Sequence, residues 1–190
     1  MIIGVLLAAG GATRFGSQKL LAPFRGTPLV RHGANALAQS TDGVVVVVGS
    51  EANAVRAALA GSPVQFVENP GWARGLSSSL HCGIAALPAD AEAVVVALGD
   101  QPLMDPRIVT AVIERWRTAG RAIVAARYNG VQGHPVLFHR SVFPELLAVH
   151  GDSGARSVIA RSAERTDYVD SVEPAPPDVD TPEDLAALHG

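Results

Sequence analysis

Short apolar runs alternate with longer amphipathic stretches along the chain. The apolar runs predict strands over residues 2–7, 43–49, 64–67, 93–98, 122–126, 135–138 and 166–169. The amphipathic stretches predict helices over residues 28–39, 51–59, 77–87, 106–118, 142–149 and 154–161, and a last helix that begins at residues 181–182. Because the strands alternate with helices and are apolar throughout, the pattern indicates a mostly parallel sheet that is buried on both faces.

The predicted fold class is therefore α/β, a three-layer Rossmann-like sandwich with a mostly parallel, mixed central sheet. The chain has 190 residues, so we expect one domain over residues 1–190. Two helix starts carry capping signals, which are Thr27 before Pro28 and Asp105 before Pro106. Ligands of such sheets bind beyond the carboxyl ends of the strands, so the residues that follow each strand are the informative ones.

Composition and charge exclude several classes of protein. The chain carries 15 basic and 18 acidic residues, so nothing suggests a nucleic-acid surface or a polybasic membrane anchor. Cys82 is the single cysteine, which excludes an intrachain disulfide. The apolar residues 1–7 have no basic flank and are too few for a signal peptide or a membrane span. We therefore expect a buried first strand and a cytoplasmic protein.

A glycine-rich turn follows the first predicted strand. Its small residues let backbone amides approach a polyphosphate, and an arginine and a lysine add two positive charges. The turn matches neither the Walker A motif nor the spacing of the dinucleotide fingerprint. A flexible turn with two solvated charges is the alternative. The turn residues expected to bind a nucleotide are Leu7, Ala8, Ala9, Gly10, Gly11, Arg14 and Lys19.

Two aspartates stand at strand-to-loop junctions. Asp100 follows the predicted strand 93–98, and Asp180 lies late in the chain, just before the last helix. Mg²⁺ in nucleotidyl transfer is commonly held by one or two carboxylates together with phosphate oxygens and water. Asp100 and Asp180 are therefore the predicted metal ligands. Asp180 has an alternative role as a helix N-cap, and Asp178 is a rival ligand.

A segment with an asparagine and three serines follows the third predicted strand. Asn69, Gly75, Ser77 and Ser79 offer hydrogen-bonding groups and close backbone approach where a helix begins. Such groups suit a slot for a planar base. A serine-rich helix cap is the alternative, although it explains one serine better than three.

Four strings in the chain resemble a known family. The string Leu-Ala-Ala-Gly-x-x-x-Arg-x-Gly-x-x-Lys at residues 7–19 resembles the signature of the nucleotidyltransferase superfamily. The strings Asn-Pro-x-Trp-x-x-Gly-Leu-Ser-Ser-Ser-Leu at 69–80, Leu-Gly-Asp-Gln-Pro at 98–102 and Gly-Asp-Ser-Gly-Ala-Arg at 151–156 resemble the molybdenum cofactor cytidylyltransferase branch. Phe15 stands where many relatives carry methionine.

The resemblance implies a fold of the nucleotidyltransferase type and a reaction. CTP and a molybdopterin-type cofactor would give a cytosine dinucleotide cofactor and pyrophosphate, with Mg²⁺ as the metal. Arg14, Lys19 and Asp100 would be catalytic, with the two basic residues at the α-phosphate and the departing pyrophosphate. The residues expected to face the phosphorylated acceptor are Gln101, His134, Asp152 and Arg156.

The sequence is compatible with several alternatives. The guanylyl branch more often begins Leu-Ala-Gly-Gly, so the methyl group of Ala9 favours cytosine. A guanylyltransferase and a cytidylyltransferase for another phosphorylated small molecule are rivals within the class. From other classes, we consider an NAD(P)- or flavin-dependent oxidoreductase and a nucleotide-binding chaperone without turnover. His134 and Arg156 each have a purely structural or solvated alternative.

Overall fold

Seven strands form one mixed central sheet in the computed structural model, which describes residues 1–11, 15–16 and 18–188. The nine strands of this part are β1 (Ile2–Ala8), β2 (Pro23–Phe24), β3 (Thr27–Pro28), β4 (Gly43–Val48), β5 (Val64–Glu68), β6 (Ala93–Leu98), β7 (Ile123–Tyr128), β8 (Val131–His139) and β9 (Thr166–Ser171). Its α-helices are α1 (Leu29–Ala38), α2 (Ala52–Ala58), α3 (Leu76–Ala85), α4 (Pro106–Ala119), α5 (Phe143–Leu147), α6 (Arg156–Ala160) and α7 (Pro182–Ala187).

The strand order of the sheet is β5-β4-β1-β6-β8-β7-β9. Every neighbouring pair is parallel except the two pairs that involve β8, which runs antiparallel to both β6 and β7. Strands β2 and β3 form a separate two-stranded antiparallel ribbon. The predicted mixed, mostly parallel sheet is therefore confirmed.

Helices cover both faces of the sheet, which gives the three predicted layers. One core cluster joins one face to α1, α2 and α4, and a second joins the other face to α3, α5 and α6. The valine run of β4 shows why the strands are apolar throughout. Val44, Val46 and Val48 belong to the first cluster, whereas Val45 and Val47 belong to the second.

A tight hairpin explains why β8 runs antiparallel to its neighbours in the central sheet. Asn129 and Gly130 connect β7 directly to β8, and both have positive φ angles, 49° and 83°. Asn-Gly in this conformation favours a two-residue hairpin turn, which makes the flanking strands antiparallel. This turn lengthens β8 beyond the predicted 135–138, to Val131–His139.

The predicted helix boundaries hold to within a few residues, with three corrections. Thr27 is not an N-cap, because Thr27 and Pro28 form β3 and the Thr27 hydroxyl pairs with His32 Nε2 at 2.9 Å. The helix predicted over 142–149 is reduced to α5, since a 3-10 turn over Arg140–Val142 precedes it. The helix predicted over 154–161 begins at Arg156, after Gly154 with φ of +50°.

Other capping predictions are confirmed or decided by the structure. Asp105 caps α4 and accepts a hydrogen bond from the Arg107 amide at 2.8 Å. Thr181 caps α7 in a capping box with Asp184, so the alternative that made Asp180 the N-cap is wrong. No helix in the described ranges is long and apolar enough to cross a membrane.

Candidate active site

A cleft of about 420 Å³ opens where β1 and β6 end. These strands are parallel neighbours, as are β4 and β5 beside them, so the loops that follow all four strands meet at one edge of the sheet. The cleft is lined by Leu7, Ala8, Ala9, Gly10, Gly11, Lys19, Leu20, Trp72, Ala73, Gly75, Leu76, Ser79, Leu98, Asp100 and Asp152.

The predicted nucleotide loop forms one wall of this cleft. Its start is fixed by neighbouring strands, because Leu7 O accepts from the Gly99 amide and Ala9 O accepts from the Ser50 amide, each at 3.0 Å. Gly49 permits this packing, since a Cβ there would lie 2.7 Å from Ala9 O. Leu7, Ala8, Ala9, Gly10 and Gly11 therefore face the cleft as a group. Arg14 lies outside the described residues.

Lys19 joins the two predicted metal ligands. Its Nζ atom lies 2.7 Å from Asp100 Oδ2 and 2.8 Å from Asp180 Oδ1. The lysine side chain is 13% exposed and that of Asp180 is 40% exposed, so the cluster sits at the mouth of the cleft. Burial alone would lower the pKa of Lys19, but the two carboxylates outweigh it and raise that pKa above its ordinary value.

The chain segment before α7 delivers Asp180 to this cluster. The Val179 amide donates to Asp100 O at 3.0 Å, and the Val179 side chain is fully buried in a small cluster with Phe24 and Leu29. On the other side, the Asp180 amide donates to Asp184 Oδ2 at 2.9 Å. The rival ligand, Asp178, instead accepts a hydrogen bond from Gln101 Nε2 at 2.8 Å.

The acidic pair has the donor chemistry that Mg²⁺ requires. Asp100 Oδ1 is buried and has no hydrogen-bond partner among the residues that the structure describes, so this oxygen has unused capacity to accept a cation or a donor. Among the described residues, no group of three or more His, Cys, Asp or Glu side chains is placed to hold a metal. Two carboxylates suffice when phosphate oxygens and water complete the shell, as is usual for Mg²⁺.

The four residues predicted to form the base slot differ in whether they line the cleft. Gly75 and Ser79 line the cleft, whereas Asn69 and Ser77 are buried and do not. Asn69 Nδ2 donates to Ser78 Oγ at 2.9 Å and to Ser79 Oγ at 3.0 Å. Asn69 therefore holds the first turn of α3 in place behind the cleft wall, because its amide is used within the protein.

A smaller cavity of about 150 Å³ adjoins the cleft. Three of the four predicted acceptor residues, His134, Asp152 and Arg156, line it, and Asp152 borders both spaces. Burial lowers the pKa of His134, which favours the neutral form of the ring, and His134 Nδ1 lies 3.3 Å from Val96 O. Gln101 does not line this cavity and lies against Asp178 instead.

Sequence reasoning missed part of the cleft wall. Trp72 and Leu76 line it, together with Leu20, Ala73 and Leu98. The indole of Trp72 lies so close to the nucleotide loop that a Cβ at Gly11 would be 2.9 Å from the ring. The tryptophan in the string at residues 69–80 was a signal for this contact, but only the sheet brings the two segments together.

The architecture and the cleft define a nucleotidyltransferase. Residues 4–166 match the family described as MobA-like NTP transferase domain, and the chain belongs to that family. The resemblance to the superfamily and to its molybdenum cofactor branch is thereby confirmed. The chain is a nucleotidyltransferase of this type, with a nucleoside triphosphate as the substrate class that the family supports.

Individual relatives carry different names. The chain is 35% identical to a nicotine blue oxidoreductase of Paenarthrobacter nicotinovorans, over 98% of this chain and 96% of that protein. It is 25% identical to the molybdenum cofactor cytidylyltransferase of Escherichia coli K12, over 95% of this chain and 92% of that protein. A Mycobacterium tuberculosis protein, Rv0371c, has a structure in complex with manganese that matches with a TM-score of 0.81 and 33% identity, over 98% and 97% of the two chains.

Proposed function

We propose that this nucleotidyltransferase transfers a cytidylyl group from CTP to a molybdopterin-type cofactor, with Mg²⁺ as its metal and pyrophosphate as the second product. The observation that carries the proposal is the Lys19 ammonium between Asp100 and Asp180, 2.7 and 2.8 Å from their carboxylates, at the end of a cleft walled by the nucleotide loop. The ammonium can contact the phosphate oxygens of a triphosphate, and the two carboxylates can hold the metal that accompanies it.

The chemistry needs no general base from the protein. An acceptor phosphate oxygen, already anionic, forms a new bond to the α-phosphorus, while the bond from that phosphorus to the pyrophosphate oxygen breaks. The protein contributes positioning and charge neutralisation. Lys19, together with Arg14, stabilises the charge that builds on the α-phosphate and the leaving pyrophosphate.

Asp100 and Asp180 are the residues that would hold the metal. Within the described part of the chain, Asp100 Oδ1 has no hydrogen-bond partner. Asp178 is engaged by Gln101, which favours Asp180 over Asp178 as the second ligand. When bound, Mg²⁺ supplies further neutralisation of the phosphate oxygens. The manganese complex of Rv0371c supports a divalent cation in this fold.

The nucleotide would lie along the loop and the start of α3. Gly75 and Ser79 offer backbone and hydroxyl contacts to the base, while Asn69 supports Ser79 from behind and Ser77 is buried. Ala9 lines the cleft and its Cβ packs beside Gly49, so we assign to Ala9 the role of limiting the space for the base. An Ala9→Gly variant is expected to shift preference from CTP toward GTP, and an unchanged preference would contradict this role.

The acceptor would occupy the adjoining small cavity. His134 and Arg156 offer a neutral ring and a positive charge there, and Asp152 stands between acceptor and nucleotide. The E. coli relative that is named as a molybdenum cofactor cytidylyltransferase supports this choice of acceptor. The cytoplasmic location stays a prediction from the sequence.

Pyrophosphate release tests the proposal. The purified protein is incubated with Mg²⁺ and with CTP, GTP, ATP or UTP, each with and without molybdopterin-type cofactor. Release with CTP only in the presence of the cofactor is expected. Release with GTP alone among the nucleotides would identify a guanylyltransferase, and release with CTP on another phosphorylated small molecule would identify a different acceptor.

An oxidoreductase is the second candidate function, and one observation favours it. The relative with 35% identity over nearly the full chain is named as an oxidoreductase. The glycine spacing of the nucleotide loop does not match the dinucleotide fingerprint, which argues against a Rossmann-type NAD site. Consumption of NADH or NADPH with a reducible conjugated dye, without pyrophosphate release from any nucleotide, would establish this candidate and reject the transferase reaction.

A further inference from the structure

The chain between β9 and α7 carries Asp180 but has no regular secondary structure of its own. Residues 172–181 contain neither helix nor strand, so the position of Asp180 depends on a few individual contacts. We propose that Gln101 is a positioning residue: by holding Asp178, it fixes the segment that places Asp180 beside Asp100. This inference rests on the proposed function, because it assigns the metal pair to Asp100 and Asp180.

The amide nitrogen of the Gln101 side chain is used within the protein. The residue is 8% exposed, and its Nε2 atom donates to Asp178 Oδ1 at 2.8 Å. Its Oε1 atom is buried and has no hydrogen-bond partner in the described ranges. Neither end reaches the small cavity lined by His134 and Arg156. The Gln101 amide nitrogen therefore contacts Asp178 and not the small cavity, and a contact of Gln101 with the acceptor stays a prediction.

Three consecutive residues of the segment are each held by a different partner. Asp178 accepts from Gln101, the Val179 amide donates to Asp100 O at 3.0 Å, and Asp180 pairs with Lys19. The Val179 side chain is fully buried among apolar residues. Since Gln101 directly follows Asp100, the segment is tied at two adjacent points to the loop that carries the first acidic residue.

This arrangement makes the spacing of the two carboxylates depend on a hydrogen bond outside the metal pair. Partners that orient metal ligands in this way commonly contribute about 10–100-fold in metal affinity. Loss of the Gln101 amide would free Asp178 and loosen Asp180, while the nucleotide loop and the acceptor cavity keep their own contacts.

Four variants test the proposal. Gln101→Leu removes the donor, Asp178→Ala removes the acceptor, and Asp178→Asn keeps an acceptor oxygen but removes the charge. Gln65→Leu, at an exposed position of β5, is the matched control for a Gln-to-Leu change. Two quantities are measured: amide hydrogen exchange of residues 178–181 without metal, and the Mn²⁺ dissociation constant in the presence of a non-hydrolysable CTP analogue.

The expected pattern separates positioning from ligation. In Gln101→Leu and Asp178→Ala, the Val179 amide hydrogen should exchange faster, and Mn²⁺ binding should weaken about tenfold or more. Asp178→Asn and the control should resemble the wild type in both quantities. Wild-type exchange and affinity in Gln101→Leu would overturn the proposal. Tenfold weaker Mn²⁺ binding in Asp178→Asn with unchanged exchange would also overturn it, because Asp178 would then be the ligand. Failure of the wild-type protein to bind Mn²⁺ at all would instead reject the metal site of the proposed function, and the positioning role with it.

Discussion

Lys19 and Asp180 are 161 positions apart in the chain, and their side chains form an ion pair of 2.8 Å. Asp100 shares the same ammonium, at 2.7 Å. The shared ammonium offsets the repulsion between the two carboxylates at the mouth of the cleft. It also places the lysine within reach of any phosphate that binds there, so the same residue can serve stability and catalysis.

Replacing Lys19 should affect activity more than any exposed basic residue. Lys19→Met is expected to lower the transfer rate about a hundredfold or more, because a positive charge next to the reacting phosphates is lost. Pyrophosphate release measures the effect. Arg107→Met, which removes a charge from an exposed pair with Asp105, is the control and should retain wild-type turnover. Wild-type turnover in Lys19→Met would contradict the catalytic role.

Gly75 is expected to tolerate no side chain. Its φ of +100° and ψ of 172° are almost restricted to glycine, and a Cβ there would lie 2.5 Å from Asp152 Oδ1. Gly75→Ala should lower the free energy of unfolding by about 1–3 kcal/mol. It should also impair turnover, since Asp152 borders both the cleft and the small cavity. Urea denaturation and the transferase assay measure the two effects.

Gly120→Ala provides the comparison for this variant. Gly120 also has a positive φ, +63°, but a Cβ there would meet nothing within 4 Å. We expect a loss of roughly 1–2 kcal/mol from backbone strain alone, with unchanged turnover. Equal losses of turnover in both variants would show that strain, and not the contact with Asp152, is responsible.

The buried amide of Asn69 should matter for stability and for nucleotide binding. Asn69→Ala leaves the hydroxyls of Ser78 and Ser79 without their donor and is expected to cost about 1–3 kcal/mol of folding free energy. The KM for the nucleotide should rise, because Ser79 lines the cleft. Asn35→Ala, on the exposed side of α1, is the control and should change neither quantity. An unchanged KM in Asn69→Ala would argue that Ser79 is not a nucleotide contact.

His134 should make the protein less stable in acid. Burial, with a smaller contribution from Arg156, lowers its pKa below the ordinary 6.5, so the unfolded chain binds a proton that the folded chain does not. The free energy of unfolding should therefore fall as pH decreases from 6.5 toward the lowered folded pKa. Denaturation at several pH values should show this loss in the wild type and a weaker one in His134→Gln. Parallel curves for the two proteins would contradict the assignment.

The local elements of this protein could be predicted from the sequence because they depend on neighbouring residues. The valine run 44–48 predicts a strand buried on both faces, and the Asp105-Pro106 pair predicts the start of α4, as the structure confirms. The glycine-rich turn and the acids after strands are equally local signals. The mostly parallel sheet then follows from the alternation of elements, and its carboxyl edge indicates where the candidate site lies.

Only the tertiary structure decided which polar groups meet. The sequence left Asp178 and Asp180 as rival ligands, and packing of Val179 between them turns one toward Gln101 and the other toward Lys19. Asn69 and Gln101 resemble ligand contacts in the sequence, yet burial gives their amides partners within the protein. A residue type and its spacing determine what a side chain can bind, whereas the packing of distant segments determines what lies within hydrogen-bonding distance of it.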